Sequence, residues 1–201
     1  MIRILLAEDQ RMIRGALARL LDLESDLVVV ADVSSGDEVV PRALETRPDV
    51  ALLDIQMPRL DGLAAAAALR RAMPACPVLI LTTFTRPGYV RRAIEAGAAG
   101  FLAKDGPVEE LADAVGRVVA GERVMDPALA VTALAAGPNP LSPREREVLA
   151  TATHTSSVAE ISRILHLSEG TVRNYLSAAI GKTGTRNRAE AARLADANGW
   201  L

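Results

Sequence analysis

Apolar residues fall along the first part of this chain in two alternating patterns. Short unbroken runs, Ile2 to Ala7, Leu27 to Asp32, Asp49 to Asp54, Pro77 to Thr82 and Gly100 to Ala103, have strand length and are rich in Val, Ile and Leu. Between them apolar positions recur at helical spacing, as at Met12, Leu17, Leu20 and Leu21. The punctuation agrees with that reading. SSGDEVVPRALETRP begins with capping residues and stops before Pro48, GLAAAAALRRAMP ends at Pro74, and both PGYVRRAIEAG and PVEELADAVGRVVAG open on Pro and close on Gly. Strands apolar throughout, alternating with helices, predict a parallel sheet covered on both faces. The expected fold is α/β, a flavodoxin-like doubly wound five-stranded sheet in the order 2-1-3-4-5.

From Gly121 to Pro140 the pattern changes. A short helical pattern around Ala128 to Ala135 is followed by Gly137, Pro138, Asn139 and Pro140, which reads as an inter-domain linker. Only helical patterns come after it: Ser142 to Thr153, Val158 to Leu165, Glu169 to about Thr183 and Asn187 to about Asn198. The predicted organisation is an α/β domain over 1–120, a linker over 121–140 and an all-α four-helix domain over 141–201. Ser142 with Glu145 three residues on forms a capping box at the start of the first of these helices. Ile161, Ile164, Leu165, Leu167, Val172, Leu176 and Ile180 are placed to pack a pair of helices joined by a turn at His166 to Ser168. Arg173, Asn174 and Ser177 are then left on the outer face of the second helix, as in a helix-turn-helix that offers a recognition helix to the major groove. Helical hairpins also pack for structural reasons alone, so spacing leaves both readings open.

Composition changes this picture in three ways. With 50% apolar residues the 201-residue chain can build two cores. The net charge of -2 averages over unlike parts: Leu141 to Leu201 holds 8 Lys and Arg against 6 Asp and Glu, about +2, which leaves about -4 for the rest. The single Cys76 has neither a disulfide partner nor metal-ligand neighbours, and reads as a small buried apolar side chain in a reducing compartment. No signal segment opens the sequence and no apolar run approaches the roughly 18 residues of a membrane span. The expectation is a cytoplasmic protein with no direct membrane insertion.

The candidate chemistry lies at strand ends. Glu8 and Asp9 follow the first strand and Asp54 ends the third, and these strands are neighbours in the predicted order, where ligands of such sheets bind. Three carboxylates within a few ångströms call for a cation, and a hard oxygen-ligated ion, Mg2+ first, suits them. Thr82 ends the fourth strand with a hydroxyl, and Lys104, just past the fifth, brings an ammonium that suits phosphate oxygens. Each residue alone has an ordinary reading as a cap, a turn or a solvated side chain. Together they describe a site for placing a phosphoryl group on Asp54.

At these residues the chain resembles the receiver domains of bacterial two-component response regulators. The match is carried by AEDQ (Ala7 to Gln10), LLDIQMPRLDG (Leu52 to Gly62), LTTF (Leu81 to Phe84) and AGAAGFLAKD (Ala96 to Asp105). The resemblance implies that Asp54 is the phosphoacceptor and that Glu8, Asp9, Asp54 and the Gln56 backbone carbonyl hold Mg2+. It further implies that Thr82, Lys104 and the aromatic Phe101 form the switch, Phe101 turning inward when Thr82 is drawn to the phosphoryl group. Pro58 and Gly62 would shape the loop behind the acceptor.

The second part resembles the LuxR-type helix-turn-helix domain which, behind a receiver, defines the NarL/FixJ response regulators, and AEDQ, TTFTRPGY, GTVRNYLS, NRAEA and the closing GW most resemble the DesR-like group. That likeness implies a sensor histidine kinase as donor and double-stranded promoter DNA as target. It also implies a homodimer formed on phosphorylation, through the Arg11 to Leu23 and Pro107 to Ala120 surfaces or, as a rival, around the fourth helix. Arg173, Asn174 and Ser177 become base-edge candidates, and Ser168, Thr171, Lys182 and Arg186 phosphate contacts. Two departures stand out: ATHTSSVAE lacks the glycine usual before the helix pair, and GKTG sets Gly181 in the recognition helix and Thr183 at a commonly apolar position, which predicts a frayed helix end. An enzyme is the competing class, since phosphoryl hydrolases use the same carboxylate and Mg2+ chemistry. The chain has no cap domain and carries Gln56 where such enzymes have a second Asp, so a non-enzymatic regulator is expected.

Overall fold

All five apolar runs pair in parallel and a sixth strand joins them in the computed structural model, which describes residues 1–83, 87–104, 106–125, 139–155 and 157–201. The strands are β1 (Ile2–Ala7), β2 (Leu27–Val33), β3 (Val50–Asp54), β4 (Val78–Thr82), β5 (Gly100–Ala103) and β6 (Val124–Met125), in the order β2-β1-β3-β4-β5-β6. The sixth strand adds to the five expected. It is two residues long, too short for a periodic signal, and its register, Gly100 to Val124 and Phe101 to Met125, carries the sheet through Met125. Residues 126–138, with the helix expected at Ala128 to Ala135, lie outside the described residues.

The helices of this unit are α1 (Arg11–Leu21), α2 (Val39–Thr46), α3 (Gly62–Ala72), α4 (Pro87–Ala96) and α5 (Val108–Val119), with a 3-10 turn at Gly36–Glu38 ahead of α2. β3 and β4 are buried along their whole length, as strands covered on both faces must be. One core cluster joins Ile4 and Leu6 of β1, Val50 and Leu52 of β3, Leu79 and Leu81 of β4 and Leu111, Val115 and Val118 of α5. α1 adds Leu17, Ala18 and Leu21, whereas Met12 is 86% exposed. Met12 sits at helical spacing from several apolar positions, but the face turned to the sheet runs through Leu17 and Leu21. Cys76 is a buried free thiol, and burial pushes its pKa up to about 11, as a packing residue requires.

The second unit is four helices: α6 (Pro143–His154), α7 (Val158–Leu165), α8 (Glu169–Thr183) and α9 (Arg188–Ala197). Each begins on a side-chain cap, namely Ser142, Ser157, Ser168 and Asn187, and Ser142 with Glu145 completes the capping box. Ile161, Val172 and Leu176 are buried with Val148, Leu149, Ala191 and Ala195, while Leu165, Leu167 and Ile180 pack at the margin. Ile164, expected in the core, is 50% exposed. The missing glycine before α7 is replaced by a polar network in which the Thr155 hydroxyl donates to Glu160 and the Ser157 hydroxyl accepts from the Glu160 N–H. α8 runs unbroken past Gly181 to Thr183 and ends at Gly184 in the left-handed conformation. At the end where fraying is expected in the free protein, the Thr183 hydroxyl lies within hydrogen-bond reach of the Ala179 and Ile180 carbonyls, at 2.8 and 3.1 Å.

Gly62 shows how closely the first unit is fitted behind Asp54. Its N–H donates to the Ile55 carbonyl at 2.9 Å, and a Cβ at this position would lie 1.8 Å from the Asp54 carbonyl oxygen. Helix propensity alone would make Ala better here by about 1 kcal/mol. The backbone clash outweighs it, and Gly62→Ala is expected to destabilise the α/β unit by about 1–3 kcal/mol in urea unfolding followed by circular dichroism. A neutral or stabilising result would show that the turn can relax without strain.

Candidate functional site

Parallel register assembles the acidic cluster. Ala7 pairs with Leu53, so Glu8, the next residue, arrives beside Asp54 at the end of β3. Thr82 pairs with Ala103, which brings Lys104 to the same edge, and the Lys104 N–H donates to the Thr82 carbonyl at 2.9 Å. Oxygens of Glu8, Asp9 and Asp54 all lie within 4.8 Å of one another. The Lys104 ammonium contacts Glu8 and stands 3.0 Å from Asp54 Oδ1. Glu8, Asp54 and Thr82 are buried and Asp9 is exposed, so the cluster opens to solvent on the Asp9 side.

Burial pushes both the Glu8 and the Asp54 carboxyls above their ordinary range, against the Lys104 ammonium, which pulls each down. Local hydrogen bonds assist the ionised forms: the Ile55 N–H donates to Asp54 at 2.8 Å and the Gln10 N–H to Glu8 at 3.2 Å. Three carboxylates against one ammonium leave a charge of -2. A divalent ion bound by hard oxygens supplies the missing charge, and the donor set fits Mg2+. With that charge supplied, an ionised Asp54 carboxylate beside the Lys104 ammonium has the chemistry to accept an electrophile whose oxygens carry negative charge.

The remaining expected site residues are distributed as follows. Gln56 lies two residues past Asp54 in an exposed turn. Phe101 is fully buried, so its ring is already inside the fold; the inward turn expected on phosphorylation does not start from an exposed ring here. A Phe side chain gains enough from burial to favour that position by itself. In α8, Arg173, Asn174 and Ser177 form an exposed stripe at helical spacing. Ser168 caps the helix by accepting from the Thr171 N–H, and the Ser168 and Thr171 hydroxyls lie 2.8 Å apart. Arg173 is paired with Glu169 at 2.6 Å on the same face.

Lys182 and Arg186 are occupied within the protein. The Lys182 ammonium is 2.8 Å from Glu145, the capping-box carboxylate, which is 6% exposed. Burial pushes Glu145 up, but Lys182 together with the Ser142 N–H and hydroxyl outweighs it and holds the carboxyl below its usual range. Arg186 donates to Glu190 from Nε, from a terminal nitrogen and from its backbone N–H. Two arginines near the acidic cluster went unread in the sequence. Arg14 donates to the Glu8 carbonyl, and Arg59 reaches Ser35, Asp37 and Glu38. Nothing in residue type or spacing marks contacts made across two loops.

Known proteins share both units. Residues 4–116 match the response regulator receiver domain family, and residues 139–195 match the luxR family of bacterial regulatory proteins. The uncharacterized transcriptional regulatory protein YvfU of Bacillus subtilis (strain 168) is 46% identical over 201 residues, and the transcriptional regulatory protein DesR of the same strain 44%, each alignment spanning the whole of both chains. Among solved structures, the response regulator ChrA of a heme-sensing two-component system is 34% identical with a TM-score of 0.59, covering 100% of this chain and 98% of that one.

The Glu145 to Lys182 pair makes a pH-dependent contribution. A carboxyl held below its unfolded pKa near 4.5 stabilises the fold above that pH, and the stabilisation is lost as pH falls through the folded pKa. The single Trp200 packs on the four-helix core and reports its unfolding by fluorescence. Lys182→Met is expected to move the acid unfolding midpoint to higher pH, and an unchanged midpoint would mean the pair is inert.

Proposed function

The chain belongs to the NarL/FixJ response regulators, a receiver joined to a LuxR-type DNA-binding domain, and we propose that it regulates transcription under control of a phosphoryl group carried on Asp54. One observation carries this reading: Asp54 ends a fully buried strand with Glu8, Asp9 and Lys104 gathered about its carboxylate. A sensor histidine kinase is the proposed donor. An Asp54 carboxylate oxygen attacks the phosphorus of a phosphohistidine, the phosphorus–nitrogen bond breaks, and the imidazole leaves with the electron pair. Glu8, Asp9, Asp54 and the Gln56 carbonyl would hold Mg2+, which would supply neutralising charge for the phosphoryl oxygens. Lys104 shifts from the carboxylates to a phosphoryl oxygen, and the Thr82 hydroxyl donates to another. The phosphoryl group remains on the protein as a signal, and no small substrate is turned over.

Phosphorylation replaces one negative charge with about two and adds acceptor oxygens. With Phe101 already inside, the phosphoryl group stabilises an arrangement the chain can reach unaided. A shift from 1:99 to 99:1 takes about 5.5 kcal/mol, within reach of several charge-assisted hydrogen bonds. The favoured form is a homodimer built on α1 and α5, where Met12 and Leu23 stand exposed beside the helix faces. Such a dimer presents two α8 helices to half-sites about one helical turn apart on promoter DNA. Arg173, Asn174 and Ser177 face the base edges, with Ser168 and Thr171 on the backbone. Lys182 and Arg186 would meet phosphates with Glu145 and Glu190 already paired to them. Among the described residues no helix is long and apolar enough to cross a membrane, which fits the proposed site of action in the cytoplasm.

Molecular mass in solution with Mg2+, before and after acetyl phosphate or beryllofluoride, tests the switch. Wild type is expected to pass from monomer to dimer and Asp54→Ala to stay monomeric; dimerisation of Asp54→Ala by acetyl phosphate would refute control through this residue. For the DNA face, Arg173→Ala is expected to cost about 1–3 kcal/mol and to relax preference at one base pair. A uniform loss across all sequences would reassign Arg173 to the phosphate backbone.

A further inference from the structure

Both loops that carry the acidic site rest on one neighbouring segment, residues 32–38, which leads from the end of β2 into α2. Arg14, on α1, spans the first loop. Its Nε is 2.9 Å from Asp32, and one terminal nitrogen donates to the Glu8 carbonyl at 2.7 Å and reaches the Asp9 carbonyl at 3.5 Å. Its side chain is only 17% exposed. The guanidinium therefore grips the backbone of the two residues whose carboxylates enter the cluster, and its charge is balanced outside the cluster by Asp32.

Arg59 does the same for the second loop. Its Nε is 2.9 Å from Asp37, and a terminal nitrogen contacts the Ser35 hydroxyl and lies 3.3 Å from Glu38. Ser35 is fully buried, and a Cβ on Gly36 would lie 2.1 Å from the Leu60 carbonyl, so the loop backbone is seated directly on this segment. Arg59 itself has φ 65°, a left-handed conformation that a side chain disfavours and that persists only where surrounding contacts impose it. Those contacts are the three to the 35–38 turn. Glycine would adopt this backbone freely, so an arginine here indicates that the side chain serves a purpose.

We propose that Arg14 and Arg59 are positioning residues that anchor the two ligand-bearing loops to residues 32–38 and thereby fix the oxygen cage for a divalent cation. The assignment rests on the metal-site reading of Glu8, Asp9 and Asp54. Outer contacts of this kind orient ligands, and their loss commonly lowers metal affinity by about 10–100-fold. The planar fork at position 14 splits the task between two nitrogens, Nε to Asp32 and a terminal nitrogen to the two carbonyls, a spread that the single nitrogen of an ammonium does not have.

Calorimetric titration of the full-length, folded protein with Mg2+ alone tests the proposal, using wild type, Arg14→Ala, Arg14→Lys, Arg59→Gly, Asp9→Asn and the exposed α3 control Arg71→Ala. Arg14→Ala and Arg59→Gly are expected to raise the Mg2+ Kd at least about tenfold, with Arg14→Lys between and Arg71→Ala unchanged. Phosphorylation of the two variants by acetyl phosphate should be slow at low Mg2+ and recover at saturating Mg2+, which a defect of folding alone would not do. Kd values for Arg14→Ala and Arg59→Gly within about twofold of wild type, with binding lost in Asp9→Asn, would overturn the positioning role and leave the metal site standing. Absence of Mg2+ binding by wild type would instead overturn the metal-site reading beneath it. Should Arg14→Ala fail to fold, Arg14→Lys takes its place, a Kd raised by more than about twofold supporting the role of Arg14 and a Kd within about twofold of wild type overturning it.

Discussion

Glu8 and Asp54 are buried carboxylates that share one ammonium, Lys104, and most of the first domain can be understood as what that contact requires. Two anions removed from water are costly unless charge and hydrogen bonds answer them. The partner groups come from β1, β3 and the end of β5, so the sheet must hold three strands in register to within a fraction of a residue. β3 and β4 are buried along their length, apolar up to their last residues Asp54 and Thr82, because rigidity at the strand end depends on packing beneath it. Gly62 follows from the same demand, since its backbone passes against the Asp54 carbonyl with no room for a side chain. The ammonium covers only part of the charge of three carboxylates, and burial raises the Glu8 and Asp54 carboxyls against its pull. A site left short of positive charge is prepared for an incoming cation and for a change in anionic load.

In the second domain, ion pairs and caps do different work. Serine and asparagine caps set the helix starts, and the Glu145 to Lys182 pair ties the first turn of α6 to the end of α8. Arg173 is paired with Glu169 four residues back on α8, and Arg186, in the turn before α9, with Glu190 four residues on. Exposed pairs of that sort contribute little to stability. Their consequence is for recognition, because a phosphate or base edge meets each arginine with a carboxylate already beside it.

Local rules read much of the molecule correctly. Strand and helix boundaries followed from apolar runs, Pro and Gly punctuation and capping residues, and the acidic cluster followed from placing Glu8, Asp9 and Asp54 at strand ends. Failures share one cause. Met12 and Ile164 stand at helical spacing with core residues yet face solvent, because spacing defines a stripe but not which of two adjoining stripes meets the neighbour. β6 is two residues long and exists only because β5 offers an open edge. Lys182 was expected at a phosphate, and its carboxylate partner Glu145, 37 residues away, is visible only once the helices are packed.

The amino-acid order by itself determined the two-domain plan, the parallel α/β sheet, the helix-turn-helix and the residue types at the acidic site. Those properties depend on periodicity and on chemistry within a few positions of each residue. Tertiary structure alone decided that Lys104 bridges Glu8 and Asp54, that Phe101 lies inside, and that Arg14 and Arg59 grip the loops carrying the site. Each depends on which segments meet after folding. A guanidinium or a ring has no preference among distant partners until backbone packing brings one within reach.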